Sequence, residues 1–141
     1  MLFDLKCNDP TLHLEFTGVS NKQILENLVY LRDYRNTQHK PFDLWIRTPL
    51  IPGATASDEN IQALGYFLAD ALNGSVSRWE LCAFNNLCSD QYKRLGMEWT
   101  YAHTPLMTAE ELARCEKIAK ASGFRPDLIL ATGATRAVEL L

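Results

Sequence analysis

Runs of period-two hydrophobicity alternate along this chain with runs at helical spacing, and that alternation restricts the fold more than any other feature. Met1-Leu2-Phe3-Asp4-Leu5-Lys6 reads as a short strand that begins almost at the first residue, as a chain starting inside a larger fold would. Ile24, Leu25, Leu28 and Leu31 then recur at helical spacing. Phe42, Leu44 and Ile46 alternate with Asp43, Trp45 and Arg47, the strand period. Ile61, Leu64, Phe67, Leu68, Ala71 and Leu72 mark the buried face of a second helix. Trp79 to Phe84 reads as a third strand, and Leu112, Cys115, Ile118 and Ala119 line a third helix. Leu128 to Ala131 is a candidate final strand. Strands separated by helices imply right-handed crossovers and a parallel sheet, so the fold class is α/β.

Local signals set the expected boundaries. Cys7 to Gly18 reads as a loop, with Asn8-Asp9-Pro10 as a turn and His13 bonded to a loop carbonyl. Ser20-x-x-Gln23 has the form of a capping box for a helix over 21–36, with Tyr34, Arg35 and His39 near its frayed end. Ser57 is the expected N-cap of the next helix, with Asp58 and Glu59 favouring its dipole, and Asn73-Gly74 ends it. Tyr92 to Leu95 suggests a helical turn closed by Gly96, with Trp99 and Tyr101 covering the core. Thr108-x-x-Glu111 is a further capping box, and Gly123 closes its helix. Val138 to Leu141 reads as a helix end or a disordered tail.

A chain of 141 residues is expected to be one domain. Its net charge of −3 argues against a nucleic-acid partner. No apolar run reaches the roughly 18 residues of a spanning helix, so no membrane role is expected. The start lacks the basic, then apolar, pattern of a secretion signal. Cys7, Cys82, Cys88 and Cys115 form no Cys-x-x-Cys pair and no zinc spacing. Reduced thiols in a cytoplasmic protein are the expectation. His13, His39 and His103 are equally scattered, so no metal site is expected among these residues.

Candidate ligand residues cluster where strands end. Arg47 precedes Thr48-Pro49-Leu50-Ile51-Pro52-Gly53, which places it near the carboxyl end of a strand beside a rigid bend. Ligands of α/β folds sit there, and an Arg suits a carboxylate. Asp4 and Lys6 are two apart, hence on one face of a strand. They suit either mutual neutralisation or the two ends of a zwitterion. Asn85-Asn86 follows the third strand and suits either turn chemistry or ligand hydrogen bonds. Thr132-Gly133-Ala134-Thr135-Arg136 is a turn of a kind that can cradle an anion through its amides. A parallel sheet gathers Asp4, Lys6, Arg47 and Asn85 on one rim.

These residues resemble a family. Asp4-Leu5-Lys6, with Asp9, His13, Thr17-Gly18, Asn21 and Ile24-Leu25-x-Asn27-Leu28, is similar to the fourth strand and helix of the glycyl-radical enzyme activating enzymes. Arg47 to Gly53, followed by Asp58-Glu59-Asn60-Ile61, resembles the fifth strand and helix. Leu81 to Asn86, then Tyr92-Lys93-x-Leu95-Gly96, resembles the sixth. These are radical S-adenosylmethionine proteins of the pyruvate formate-lyase activating enzyme type. The resemblance spans roughly residues 1–123, leaving 124–141 as a tail with a possible short strand and helix end. It implies three to four βα units, the carboxyl-terminal half of a partial (β/α)6 TIM barrel.

The same resemblance implies the chemistry. Such enzymes cleave S-adenosylmethionine reductively with a [4Fe-4S] cluster, and the radical formed abstracts hydrogen from a glycine of a partner glycyl-radical enzyme. Asp4, Lys6, Arg47 and Asn85 would line the S-adenosylmethionine site, with Lys6 and Arg47 near its carboxylate or ribose. Asn85 falls where many members carry a His on the ribose; an Asn still donates and accepts but carries no charge. The Cys-x-x-x-Cys-x-x-Cys run that holds the cluster does not occur in this sequence, nor does the Gly-Gly-Glu type segment. The chain alone is therefore expected to be inactive, with no catalytic residues of its own. Two other functions compete. One is a non-catalytic interaction module that forms a homodimer through exposed sheet edges or pairs with a separate amino-terminal half. The other is an unrelated small α/β enzyme using Asp4, Lys6 and Arg47, for which the chain offers no activated nucleophile.

Overall fold

The computed structural model describes residues 1–38 and 41–138. His39, and most of the expected helix end or tail over 138–141, lie outside the described residues. Four strands form one parallel sheet in the order β1-β2-β3-β4: Leu2–Asp4, Trp45–Leu50, Arg78–Ala83 and Ile129–Thr132. Strand order follows chain order, so every right-handed crossover deposits its helix on the same face. The opposite face is the more open one, its side chains on β2 and β3 only half-buried. This is the winding of a barrel cut open.

Burial alternates accordingly. Ile46, Thr48 and Leu50 of β2, and Trp79, Leu81 and Ala83 of β3, are buried against the helices. Trp45, Arg47 and Pro49, and Arg78, Glu80 and Cys82, stand half-buried on the open face. Leu5, Leu28, Leu64, Leu68 and Phe124 complete the core. The segment after Gly123 supplies β4, so Ile129 shares the core with Phe3, Ile46 and Trp79.

Several boundaries differ from the sequence reading. The expected loop after Cys7 contains a helix, α1 (Pro10–Thr17). Asp9 is its N-cap, accepting from the amides of Thr11 at 2.8 Å and Leu12 at 2.9 Å, and Pro10 occupies the first turn, where its missing N–H costs nothing. His13 does bond a loop carbonyl, Nδ1 to the Val19 oxygen at 2.8 Å. Helix α2 runs Lys22–Gln38, but the expected box is not formed: Ser20 accepts from the Lys22 amide, and the Gln23 side chain donates to Asn27. Asn21, 1 % exposed, instead donates to the carbonyls of Cys7 and Asn8 and ties this helix to the end of β1.

Helix α3 (Asp58–Asp70) starts at Ser57 as expected, and Gly74 takes the left-handed conformation beyond its end. Helix α4 (Ser89–Arg94) begins earlier than the expected turn, and Gly96 follows it at φ 64°. Helix α5 (Ala109–Ala121) has the full capping box: Thr108 Oγ1 accepts from the Glu111 amide, and Glu111 accepts from the Thr108 amide. It packs on α3 and on β4.

Strand β2 runs later than the alternation implied and passes through Pro49. Trp45 donates to the Met1 carbonyl and Leu5 to that of Arg47, so residues of this parity turn their backbone toward β1. Pro49 has the same parity. Strand β1 has ended at that height, so the donor Pro49 lacks is one the ladder does not need. The Thr55 hydroxyl donates to the Pro49 carbonyl in place of a strand partner. Arg47 is thus in the middle of a strand, not at its exit beside a bend.

Candidate functional site

The open face carries its side chains in rungs fixed by strand register. Lowest are Leu2, Trp45 and Arg78, with the Arg78 guanidinium 4.7 Å from the Trp45 ring centroid. Above them Asp4, Arg47 and Glu80 are aligned across β1, β2 and β3. The next rung is Pro49, Cys82 and Thr132. Lys6 and Asn85 follow at the carboxyl rim, beyond the ends of β1 and β3.

Lys6, Arg47 and Asn85 line one concavity of about 380 Å³ at this rim. Asp4 is not in its lining; it lies on the rung below the rim, in register with Arg47. Part of the wall is aromatic. Trp99 stacks on Phe84 and on Tyr92, both at 5.9 Å between centroids, and Tyr101 meets Phe84 edge-on. Trp99 and Tyr101 do cover the core through Phe84, as expected, and they also face the concavity. Sequence reasoning had not assigned Phe84, Tyr92, Cys82 or Cys88 to the site. Parity carried the signal for Cys82: it is two residues from Glu80, on the face opposite the buried Leu81.

Backbone near Lys6 is held by a buried polar chain. The Trp79 indole N–H donates to Thr48 Oγ1 at 3.0 Å, and Thr48 donates to the Leu5 carbonyl at 2.8 Å. Asn60, 5 % exposed at the start of α3, adds three bonds. Its Nδ2 donates to the carbonyls of Lys6 and Thr55, each at 2.9 Å, and its Oδ1 accepts from the Asn8 amide at 3.2 Å. The loops after β1 and β2 are therefore fastened together directly under the rim.

Arg47 stands among groups that stabilise its charge. Its pKa is pushed further up, first by the Cys82 sulfur and then by Asp4 and Glu80, against desolvation. Among the described residues the guanidinium makes no ion pair within 4.0 Å. Glu80 accepts instead from Thr132 Oγ1 at 2.8 Å. Asn85 Oδ1 accepts from the Leu87 amide at 3.2 Å, which is turn chemistry, and its Nδ2 has no hydrogen bond among the described residues. The turn after β4, of a kind that can cradle an anion, is tied to its neighbours. Gly133, at φ 107°, lies so near Ala83 that a Cβ would sit 2.9 Å from the Ala83 Cβ, and Arg136 donates from its amide and Nε to the Met107 and Leu106 carbonyls.

A second concavity of about 320 Å³ lies on the helix side, between the loop after β2 and α5. Its charged side chains are already engaged: Arg114 pairs with Asp58 at 3.1 Å and Glu111 caps α5.

No protein-family model matches the chain. Individual proteins do. It is 29% identical over 99 residues to the (2S)-3-sulfopropanediol dehydratase activating enzyme of Klebsiella oxytoca, covering 70% of this chain and 29% of that one. It is 30% identical over 118 residues to the pyruvate formate-lyase-activating enzyme of Streptococcus mutans, covering 84% and 42%. A crystal structure of a domain of the pyruvate-formate lyase-activating enzyme from Bacteroides vulgatus aligns over 94% of this chain and 66% of that one, with a TM-score of 0.63 and 26% identity. The chain is a homologue of the glycyl-radical enzyme activating enzymes over part of their length. It spans less than half the length of the curated relatives named here. The four-stranded parallel α/β sheet agrees with part of a radical S-adenosylmethionine barrel.

The donor set does not fit an iron–sulfur cluster. Cys7 and Cys115 are buried in the core, and only Cys82 and Cys88 reach the concavity. Among the described residues no group of three or more His, Cys, Asp or Glu side chains is placed to hold a metal ion. The concavity does fit an organic ligand with an anionic end: two cations, an amide and an aromatic wall converge on it. No helix among the described residues is long and apolar enough to cross a membrane.

Proposed function

We propose that this chain is the carboxyl-terminal half of a radical S-adenosylmethionine activating enzyme whose partner is a glycyl-radical enzyme. In this reading the rim concavity holds the nucleoside and amino-acid ends of S-adenosylmethionine. Arg47 and Lys6 bind the carboxylate or the ribose through charge-assisted hydrogen bonds. Asn85 donates Nδ2–H to a ribose oxygen, and Tyr101 and the edge of the stacked Trp99 border the adenine. Asp4 acts from below, through the charge it contributes beside Arg47. The observation that carries the reading is the convergence of Lys6, Arg47 and Asn85 on one concavity of a partial-length activating-enzyme homologue. When bound beside a [4Fe-4S] cluster, S-adenosylmethionine would supply the radical. This chain provides no thiolate triad, so the cluster would belong to another segment.

Equilibrium dialysis with labelled S-adenosylmethionine tests the binding half. Saturable binding that Arg47→Ala weakens at least tenfold supports it, and no binding to the unaltered chain refutes it. Anaerobic reconstitution with iron and sulfide tests the other half. Iron is expected to stay far below four per chain, whereas a stable cluster with cofactor cleavage would overturn the view that the chain is catalytically incomplete.

A second reading has its own support. The open face carries half-buried side chains on β2 and β3 and exposed ones, Leu2 and Leu130 among them, on β1 and β4, whose free edges are three and four residues long. Unpaired parallel edges favour a partner. A separate amino-terminal half, or a second copy of the chain, would cover them. Sedimentation at rising concentration distinguishes a self-dimer from a chain that stays monomeric until the complementary half is added.

A further inference from the structure

Arg47 and Glu80 occupy paired positions on neighbouring parallel strands and project onto the same open face. Opposite charges so placed ordinarily pair across a sheet. Here they form no ion pair within 4.0 Å. The Glu80 carboxylate is turned toward β4, where Oε1 accepts from the Thr132 hydroxyl at 2.8 Å. Thr132 pairs with Cys82, one rung above Glu80 toward the rim. It therefore draws the carboxylate diagonally away from Arg47. Asp4 flanks Arg47 on the other side, but it is solvent-exposed on the edge strand, where hydration and screening weaken its hold.

We propose that Thr132 is a positioning residue that keeps Glu80 off Arg47, leaving the Arg47 guanidinium available to an acceptor on the bound ligand. The inference deepens the cofactor-binding reading above and rests on Arg47 serving a ligand. It gives β4, the strand farthest from Lys6, a part in the site. Without the Thr132 hydroxyl, Glu80 loses its partner and rotates toward Arg47, its paired position on β2. The ligand then has to displace an internal carboxylate before it can bind.

A cycle of variants on the full chain tests this with two readouts. The first is modification of Arg47 by phenylglyoxal, located by peptide mass spectrometry, since ion pairing protects a guanidinium. Thr132→Val is expected to slow modification of Arg47 about two- to fivefold, the range an ordinary ion pair provides. Thr132→Ser, which keeps the hydroxyl, is expected to match the unaltered chain. Glu80→Gln combined with Thr132→Val is expected to restore the rate, because no competing carboxylate remains. Glu80→Gln alone leaves β4 intact and is expected not to slow the reaction. An unchanged rate in Thr132→Val overturns the proposal. So does a slowed rate that the double variant fails to restore, since that marks a general disturbance of β4. The second readout is S-adenosylmethionine affinity across the same four variants, expected to follow the same order. If the modification pattern holds while the unaltered chain binds no S-adenosylmethionine, the role of Thr132 stands and the cofactor assignment fails.

Discussion

Replacing Asn60 by Ala tests how the site is held together. Its side chain joins three segments: it donates to the Lys6 and Thr55 carbonyls and accepts from the Asn8 amide. At 5 % exposure, no solvent reaches it freely to substitute. Each such bond contributes about 0.5–1.5 kcal/mol net, and a buried group left unpaired costs somewhat more. Three bonds give about 2–4 kcal/mol. For a domain of this size that is a fall in Tm on the order of 10 °C. Urea denaturation followed by tryptophan fluorescence measures it, with an unchanged m-value confirming that the folded state is as compact. Asn60→Asp sharpens the test. It keeps the acceptor for Asn8 but turns carboxylate oxygens toward two carbonyls. The introduced carboxyl therefore has a raised pKa in the folded state. The native state binds the proton more tightly, so stability is greatest below the ordinary carboxyl pKa of about 3.9 and falls as pH rises. Asn60→Asp is thus expected to be less stable than Asn60→Ala at pH 7 and to recover in part near pH 4. A loss below about 0.5 kcal/mol for Asn60→Ala would refute the reasoning.

Three further outcomes rest on particular contacts. Gly65→Ala in the middle of α3 should stabilise by helix propensity, yet a Cβ there would lie 1.7 Å from Ser122 Oγ and 3.1 Å from the Trp79 ring. Overpacking is expected to win by about 1–3 kcal/mol, read as a lower urea midpoint. Burial raises the thiol pKa of Cys7 and of Cys115. Stability should be constant up to the ordinary thiol value of about 8.5 and decline above it, as the unfolded state gives up those protons first; Cys115→Ala should flatten the decline in pH-dependent denaturation. Thr108→Ala removes one arm of the α5 capping box and is expected to cost about 1 kcal/mol by the same assay.

Much of the fold was legible because its signals are local and repeat. Period-two and helical spacing located β3, α3 and α5, the apolar run Leu128 to Ala131 pointed to a possible strand where β4 lies, and the Thr108 box and Gly74 marked helix ends in the expected way. The failures have physical causes. Asp9-Pro10 is equally good as a turn and as an N-cap with a first-turn proline, and the remainder of α1 is too weakly amphipathic to decide. Ser20 and Gln23 have the spacing of a box, but Asn21 found better partners in the carbonyls of Cys7 and Asn8. Pro49 looked like a strand breaker because nothing local reveals that β1 ends beside it.

The candidate site divides in the same way. Lys6 and Asn85 could be gathered in advance, since strand ends in a parallel sheet share a rim; Arg47 joins them from mid-strand, because its side chain stands on the open face. Glu80 and Thr132 could not. Their bond spans 52 positions, and its meaning depends on the register of β3 against β4. The aromatic wall was equally hidden, because Tyr92, Trp99 and Tyr101 come from α4 and the loop after it.

The most direct test of the central claim is to map S-adenosylmethionine onto the isotope-labelled chain by backbone and side-chain amide NMR. The account predicts saturable shifts at Lys6, Arg47 and Asn85 and in the Trp99 indole, with the loop over 52–57 and the face of α5 near Cys115 unmoved. Shifts confined to that second concavity, or none at any concentration, would contradict it.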